Sequence, residues 1–137
     1  MAGYSGTPLV NKLGIKEGHR VAFLDEPPHY RRALGQLPRG VLCLSRFAGK
    51  FDLIQLFTTA ASQLERGFAR ARKHLDSNGA LLVSWPKRSS GVSTELDENA
   101  VRRIGLALGL VDVKVCAVDH TWSGLKFVRR LNDRVPR

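Results

Sequence analysis

Short apolar runs alternate with segments of helical period along this chain. Arg20-Val-Ala-Phe-Leu24, Gly40-Val-Leu-Cys-Leu-Ser45, Phe51-Asp-Leu-Ile-Gln-Leu-Phe57 and Ala80-Leu-Leu-Val-Ser-Trp85 have strand length. Their hydrophobicity is nearly continuous rather than alternating, which predicts strands covered on both faces, as in a parallel sheet. Between the third and fourth runs, Ala61, Leu64, Phe68, Ala71 and Leu75 recur at spacings of three and four. That period predicts one helix, capped by Thr58 or Thr59 and running to about Leu75, with an apolar stripe on the sheet. Arg66, Arg70 and Lys73 fall on its opposite side. A second stripe, Ala100, Val101, Ile104, Ala107 and Leu108, follows Thr94 and Asp97, a helix-start pair.

The breaks between these segments have their own chemistry. Asp25-Glu26-Pro27-Pro28 stops the first strand, because proline has no N–H for a ladder, and His29 to Leu37 can form a short helix. Asn78-Gly79 is expected to close the long helix and open the fourth strand. Gly109 ends the last helix, and a fifth strand, Val111–Val118, follows. Asp119 to Gly124 turns the chain and Leu125–Leu131 returns it; a turn that short permits only antiparallel pairing. At the front, Thr7 and Pro8 start a short helix to Leu13, which Gly14 ends. Strand, helix, strand in alternation predicts an α/β fold.

Composition narrows the picture modestly. A chain of 137 residues is long enough for one substantial core, so a single domain over 1–137 is expected, with 1–18 as a lead segment. No stretch nears the ~20 apolar residues that span a bilayer. The start has neither a basic n-region nor an apolar h-region, so a cytoplasmic location is expected and no membrane partner. Cys43 and Cys116 sit in apolar runs and are expected to be reduced, buried and inert. His19, His29, His74 and His120 show no metal-ligand spacing, so no metal is expected. The net charge of +10 points to an anionic partner, or simply to solubility. It is spread out: residues 1–60 carry 8 basic and 4 acidic side chains, residues 61–137 carry 14 and 8, so there is no basic tail.

The order over 51–131 carries a family likeness. A strand, a helix, Leu75-Asp-Ser-Asn-Gly-Ala-Leu-Leu-Val-Ser-Trp-Pro86, a helix ending in Gly-Leu, a strand and a terminal reversed strand resemble the class I S-adenosylmethionine-dependent methyltransferase fold. The resemblance implies a three-layer, Rossmann-like mixed sheet of about six strands in the order 2-1-3-4-6-5, with a terminal antiparallel hairpin. Ala2-Gly-Tyr-Ser-Gly-Thr-Pro-Leu9 and Asp119-His-Thr-Trp-Ser-Gly-Leu-Lys-Phe-Val128 are also similar to a family of small, uncharacterised bacterial proteins, which implies no activity. Against the methyltransferase pattern, the Gly-x-Gly turn after the first strand is replaced by Asp25-Glu-Pro-Pro-His29. The acidic residue expected after the second strand is replaced by Ser45-Arg46. These departures lead to the expectation that no cofactor is bound, S-adenosylmethionine being disfavoured.

In open α/β sheets ligands gather outside the carboxyl ends of the strands. That rule selects Asp25, Glu26 and His29 after the first strand, and Thr58 and Thr59 after the third. Lys87, Arg88, Ser89 and Ser90 follow the fourth, and Asp119, His120, Trp122 and Ser123 the fifth. The Pro86–Thr94 loop, with two cations and several hydroxyls ahead of a helix start, is the candidate anion site. Asp119 and His120 are candidates for an acid/base pair, although neighbours on a strand point to opposite faces. Trp122 can stack on a ring or serve as a lid. The Arg66, Arg70, Lys73 stripe can track phosphates or merely solvate a helix. The preferred expectation is a methyltransferase-like protein without standard catalysis that binds an anionic ligand or protein partner at the rim. Its alternatives are a methyltransferase with a non-standard pocket and a basic, nucleic-acid-associated protein.

Overall fold

The computed structural model of the chain describes residues 8–134. Six strands form one sheet in the order β2-β1-β3-β4-β6-β5. They are β1 (Arg20–Leu24), β2 (Leu42–Leu44), β3 (Phe51–Phe57), β4 (Leu75–Pro86), β5 (Leu110–Ala117) and β6 (Trp122–Arg129). β1 pairs in parallel with β2 and β3, and β3 with β4. β6 runs antiparallel to both β4 and β5. The carboxyl ends of β1, β3, β4 and β5 therefore emerge on one rim, where β6 begins.

Two apolar layers hold the sheet. The helices α3 (Ala61–Lys73) and α4 (Glu98–Ala107) place Leu64, Phe68, Ala71 and Val101 on one face, against Ile54, Leu56, Leu81, Val83, Leu125 and Phe127. The other face is covered by the five-residue helices α1 (Leu9–Leu13) and α2 (Tyr30–Leu34). They place Val10, Leu13, Tyr30 and Leu34 over Val21, Phe23, Leu53, Phe57 and Leu82. Each fully buried Leu or Phe in such layers contributes roughly 1.5–3 kcal/mol. Gly105 of α4 lies against the Phe127 ring, where a Cβ would overlap it, so glycine is what lets helix and sheet meet there.

Several boundaries differ from the sequence expectation. Asn78-Gly79 is not a helix-closing turn: α3 stops at Lys73, and both residues lie within β4. The register between β3 and β4 shifts between Phe51 and Leu53, and a Cβ on Gly79 would stand 2.7 Å from the Phe51 carbonyl oxygen. The glycine thus permits a close backbone approach at an irregularity in the ladder. β6 starts at Trp122 rather than Leu125, because the turn is closed early by Val118 and Asp119 N–H groups donating to the Trp122 carbonyl. The expected helix 29–37 shortens to Tyr30–Leu34, ended by Gly35 at φ 76°. At the front, α1 follows Pro8 and ends at left-handed Gly14, while Thr7 lies outside the described residues, as does the 2–6 stretch of the second resemblance.

Candidate functional site

The rim is built from three connections. After β1, the chain turns through Asp25 at φ 56° and His29 at φ 67°. Left-handed backbone is glycine's territory; Asp and His are among the few side chains that visit it, and each such residue stores about 1–3 kcal/mol unless its surroundings compensate. The turn thus keeps a glycine-like path without glycine. Around it, Glu26, Pro27, Pro28, His29, Tyr30, Arg31 and Arg32 line a hollow of about 450 Å³. Arg31 donates to both oxygens of Glu26, at 3.0 and 3.1 Å, fixing a carboxylate and a guanidinium at its wall.

After β4, a loop to α4 borders a second hollow of about 470 Å³, lined by Trp85, Lys87, Arg88, Thr94, Glu95, Asp97 and Ser123 among others. The loop is latched to the start of α3. Thr94 Oγ1 donates to the Thr59 carbonyl at 2.6 Å, and Glu95 Oε1 accepts the Ala61 N–H at 2.6 Å. Glu95 thereby supplies the helix cap that Thr58 or Thr59 was expected to provide. Thr58 is 2% exposed, its hydroxyl engaged with the Ala60 carbonyl and Gln63. Asp97, not Thr94, caps α4, accepting the Ala100 N–H at 2.8 Å. Ser90 is turned onto its own loop, its hydroxyl donating to the Lys87 carbonyl, whereas Ser89 is exposed.

The third connection, after β5, is structural in its hydrogen bonding. One oxygen of Asp119 accepts the N–H groups of Thr121 and Trp122, both at 2.8 Å, which makes an Asx-type turn. His120 is exposed beside it. Trp122 packs edge-on against Phe57 at 5.1 Å, closing the sheet end. Lys87 N–H donates to the Thr121 carbonyl at 2.7 Å, joining this turn to the β4 loop. The sequence candidates therefore share one rim but divide between two hollows. His29 lines the first, and Lys87 and Arg88 the second. Asp25 lies on the turn that leads into the first hollow, while Asp119 and Trp122 line neither.

Beneath the rim lies a polar chain that the sequence reading passed over. The Tyr30 hydroxyl donates to Gln55 Oε1 at 2.6 Å, and Gln55 Nε2 donates to Ser84 Oγ at 3.0 Å. Gln55 and Ser84 are fully buried and Tyr30 nearly so. Burial raises the Tyr30 pKa well beyond the usual phenolic range; the Gln55 hydrogen bond acts the other way, and the Asp119 charge adds to the rise. A glutamine within the apolar run Leu53–Phe57 was the available signal, since a buried amide needs partners.

No protein-family model matches the sequence, and no curated protein matches it significantly. Solved structures do match the fold. A TehB-like SAM-dependent methyltransferase from Corynebacterium glutamicum is 11% identical and superposes with a TM-score of 0.57, over 94% of this chain and 91% of its own. Magnesium protoporphyrin IX methyltransferase from Synechocystis PCC 6803, solved with SAH bound, is 11% identical with a TM-score of 0.56, over 89% of this chain and 78% of its own. Aeropyrum pernix fibrillarin, with natively bound S-adenosyl-L-methionine, is 17% identical with a TM-score of 0.54, over 92% and 70%. Cofactor-loaded neighbours on this fold overturn the expectation that the chain takes none: loss of the glycine pair was too narrow a ground for it. By strand order, reversed last strand and solved likeness, the chain has a class I methyltransferase-like fold.

Proposed function

We propose that this chain is an S-adenosylmethionine-dependent methyltransferase with a non-standard cofactor turn. The observation that carries the reading is the left-handed backbone at Asp25 and His29, beside a hollow of about 450 Å³ at the carboxyl end of β1. Stored strain of this kind clusters at ligand clamps. The residues fit the group in size and charge. Small-molecule sites run from about 300 to 1,000 Å³. The Glu26 carboxylate suits an ammonium or ribose hydroxyls, while Arg31 and Arg32 suit a carboxylate. When bound, the cofactor supplies an electrophilic methyl group. The chain's part is to orient it, with Pro27 and Pro28 stiffening one wall. The second hollow, between Trp85, Lys87, Arg88 and Ser123, is the proposed acceptor side; the Thr94 and Glu95 contacts hold its loop in place.

Thermal unfolding with added S-adenosylmethionine or its demethylated product tests this. Ligand at ~100 times its dissociation constant adds about 2.7 kcal/mol to stability. Replacing Glu26 and Arg31 together by Ala is expected to weaken the shift at least about tenfold in ligand concentration. No shift with either ligand at millimolar concentration removes the proposal.

A further inference from the structure

The excess positive charge has a second concentration, away from the rim. On α3, Arg66 and Lys73 point away from the buried Leu64, Phe68 and Ala71, and Arg70 leans toward the β2–β3 loop. That loop, residues 45–50, is fastened to the carboxyl end of α3. Lys50 Nζ donates to the Lys73 carbonyl at 2.7 Å, and His74 Nδ1 lies 2.9 Å from the Gly49 carbonyl oxygen. Arg20 donates to the Ala48 and Lys50 carbonyls. Part of this basicity is therefore structural, because cations near a helix carboxyl end satisfy its dipole. Arg70 and Lys73 stand in the last turn of α3 as well, whereas Arg46 and Arg66 lie outside it. None is in an ion pair among the described residues. Of the carboxylates around this face, Asp52 accepts the Arg20 backbone N–H, and Asp76 and Asp133 line a hollow together with Lys50. Glu65 lies on the opposite flank of α3 from Arg70, about 140° around the helix.

Within this field stands a stack of flat groups. The His74 imidazole lies on the Phe47 ring at 4.9 Å and 14°, and the Arg70 guanidinium lies over the same ring at 5.4 Å. Arg20 lies over Phe51 at 5.1 Å, a ring that is fully buried and belongs to the core. Phosphate-directed cations interleaved with planar groups are the pattern by which proteins hold single strands, whose bases are free to stack. A duplex presents phosphates but no base faces to such a surface.

We infer that the face formed by α3 and the β2–β3 loop, centred on Arg46, Phe47, Arg66, Arg70 and Lys73, docks single-stranded nucleic acid. It engages the phosphates along the helix stripe and seats a base on the exposed Arg70 guanidinium, which rests on Phe47. The face lies on the flank and amino-terminal end of the sheet, where β1, β3 and β4 begin, so it stands independently of chemistry at the rim.

The test is fluorescence anisotropy of the full chain with a labelled single-stranded RNA of about 12 nucleotides, across a salt series, beside the matched duplex and phosphatidylserine vesicles. Replacing Arg66, Arg70 and Lys73 together by Glu is expected to weaken binding more than about tenfold and to flatten the log–log salt slope by about 2. A control with equal charge change elsewhere, Arg39→Glu, Arg103→Glu and Lys114→Glu, is expected to stay within about threefold. The milder pair Arg66→Gln and Lys73→Gln, both solvent-directed, guards against misfolding of the triple variant and is expected to flatten the slope by about 1.4. Equal losses in the two triple variants overturn the inference in favour of diffuse charge. So does absence of oligonucleotide binding at low salt, or binding to vesicles alone. Duplex held as tightly as single strand overturns the stacking assignment.

Discussion

Tyr30 ties the buried interior to the rim through one hydroxyl. It sits between Phe23 and Phe57, edge-on to both, and hydrogen-bonds Gln55. Tyr30→Phe is expected to lower stability by about 1–3 kcal/mol at neutral pH, because Gln55 Oε1 is left buried without its donor. The same residue sets an alkaline limit. Its folded-state pKa lies above the ordinary value of 10.0, so above pH 10 the unfolded chain has lost a proton that the folded chain still holds. Stability must then fall as pH rises, since it follows the excess of protons bound by the unfolded state. Denaturant melts at neutral pH and above pH 10 should show that decline in the wild type and a flatter profile in Tyr30→Phe. Equal slopes in the two would remove Tyr30 as its source.

At the scale of elements, the start of α3 borrows its cap from a distant loop. α3 begins at Ala60 with no side-chain cap of its own, and the carboxylate of Glu95, 34 residues later, takes the Ala61 N–H. Glu95→Ala should cost about 1 kcal/mol, while Glu95→Gln keeps an acceptor oxygen and should cost less. Urea melts of both variants check this; equal losses would indicate that charge rather than the hydrogen bond matters. Sequence spacing gave the α3 stripe correctly at Leu64, Phe68 and Ala71, because helical period depends on local geometry alone. It misplaced Asn78-Gly79, because the same dipeptide serves a turn or a close strand approach. Only the Phe51 carbonyl across the ladder distinguishes them. It also assigned the α3 cap to Thr58 or Thr59, since a cap from a distant loop leaves no local trace.

Over the whole molecule the two faces of the sheet are unequally covered. Thirteen- and ten-residue helices protect one, while two five-residue helices and the strand-leading segment at Ile15 protect the other. Isolated helices this short are marginal, so α1 and α2 persist only by packing. Amide hydrogen exchange should therefore open α1 and α2 well before β3 and β4, by about tenfold or more in protection. Protection in α1 equal to that of β3 would mean that both faces open as one unit. Charge is also distributed at this scale: the net +10 is even along the chain, and four of its cations, Arg66, Arg70, Arg72 and Lys73, lie along α3.

Strand-length apolar runs, the 3.6-residue stripes and the short final turn were enough to specify an α/β sheet, and the family likeness supplied its order. Those properties belong to neighbours in sequence or to the rule that short connections reverse direction. Tertiary structure decided the rest. It gave Glu95 a helix to cap and paired Gln55 with Tyr30 and Ser84. It also divided the rim candidates between two hollows. Each of those outcomes depends on where a side chain meets a partner dozens of residues away. Sequence spacing along one chain does not encode that meeting until the sheet has formed.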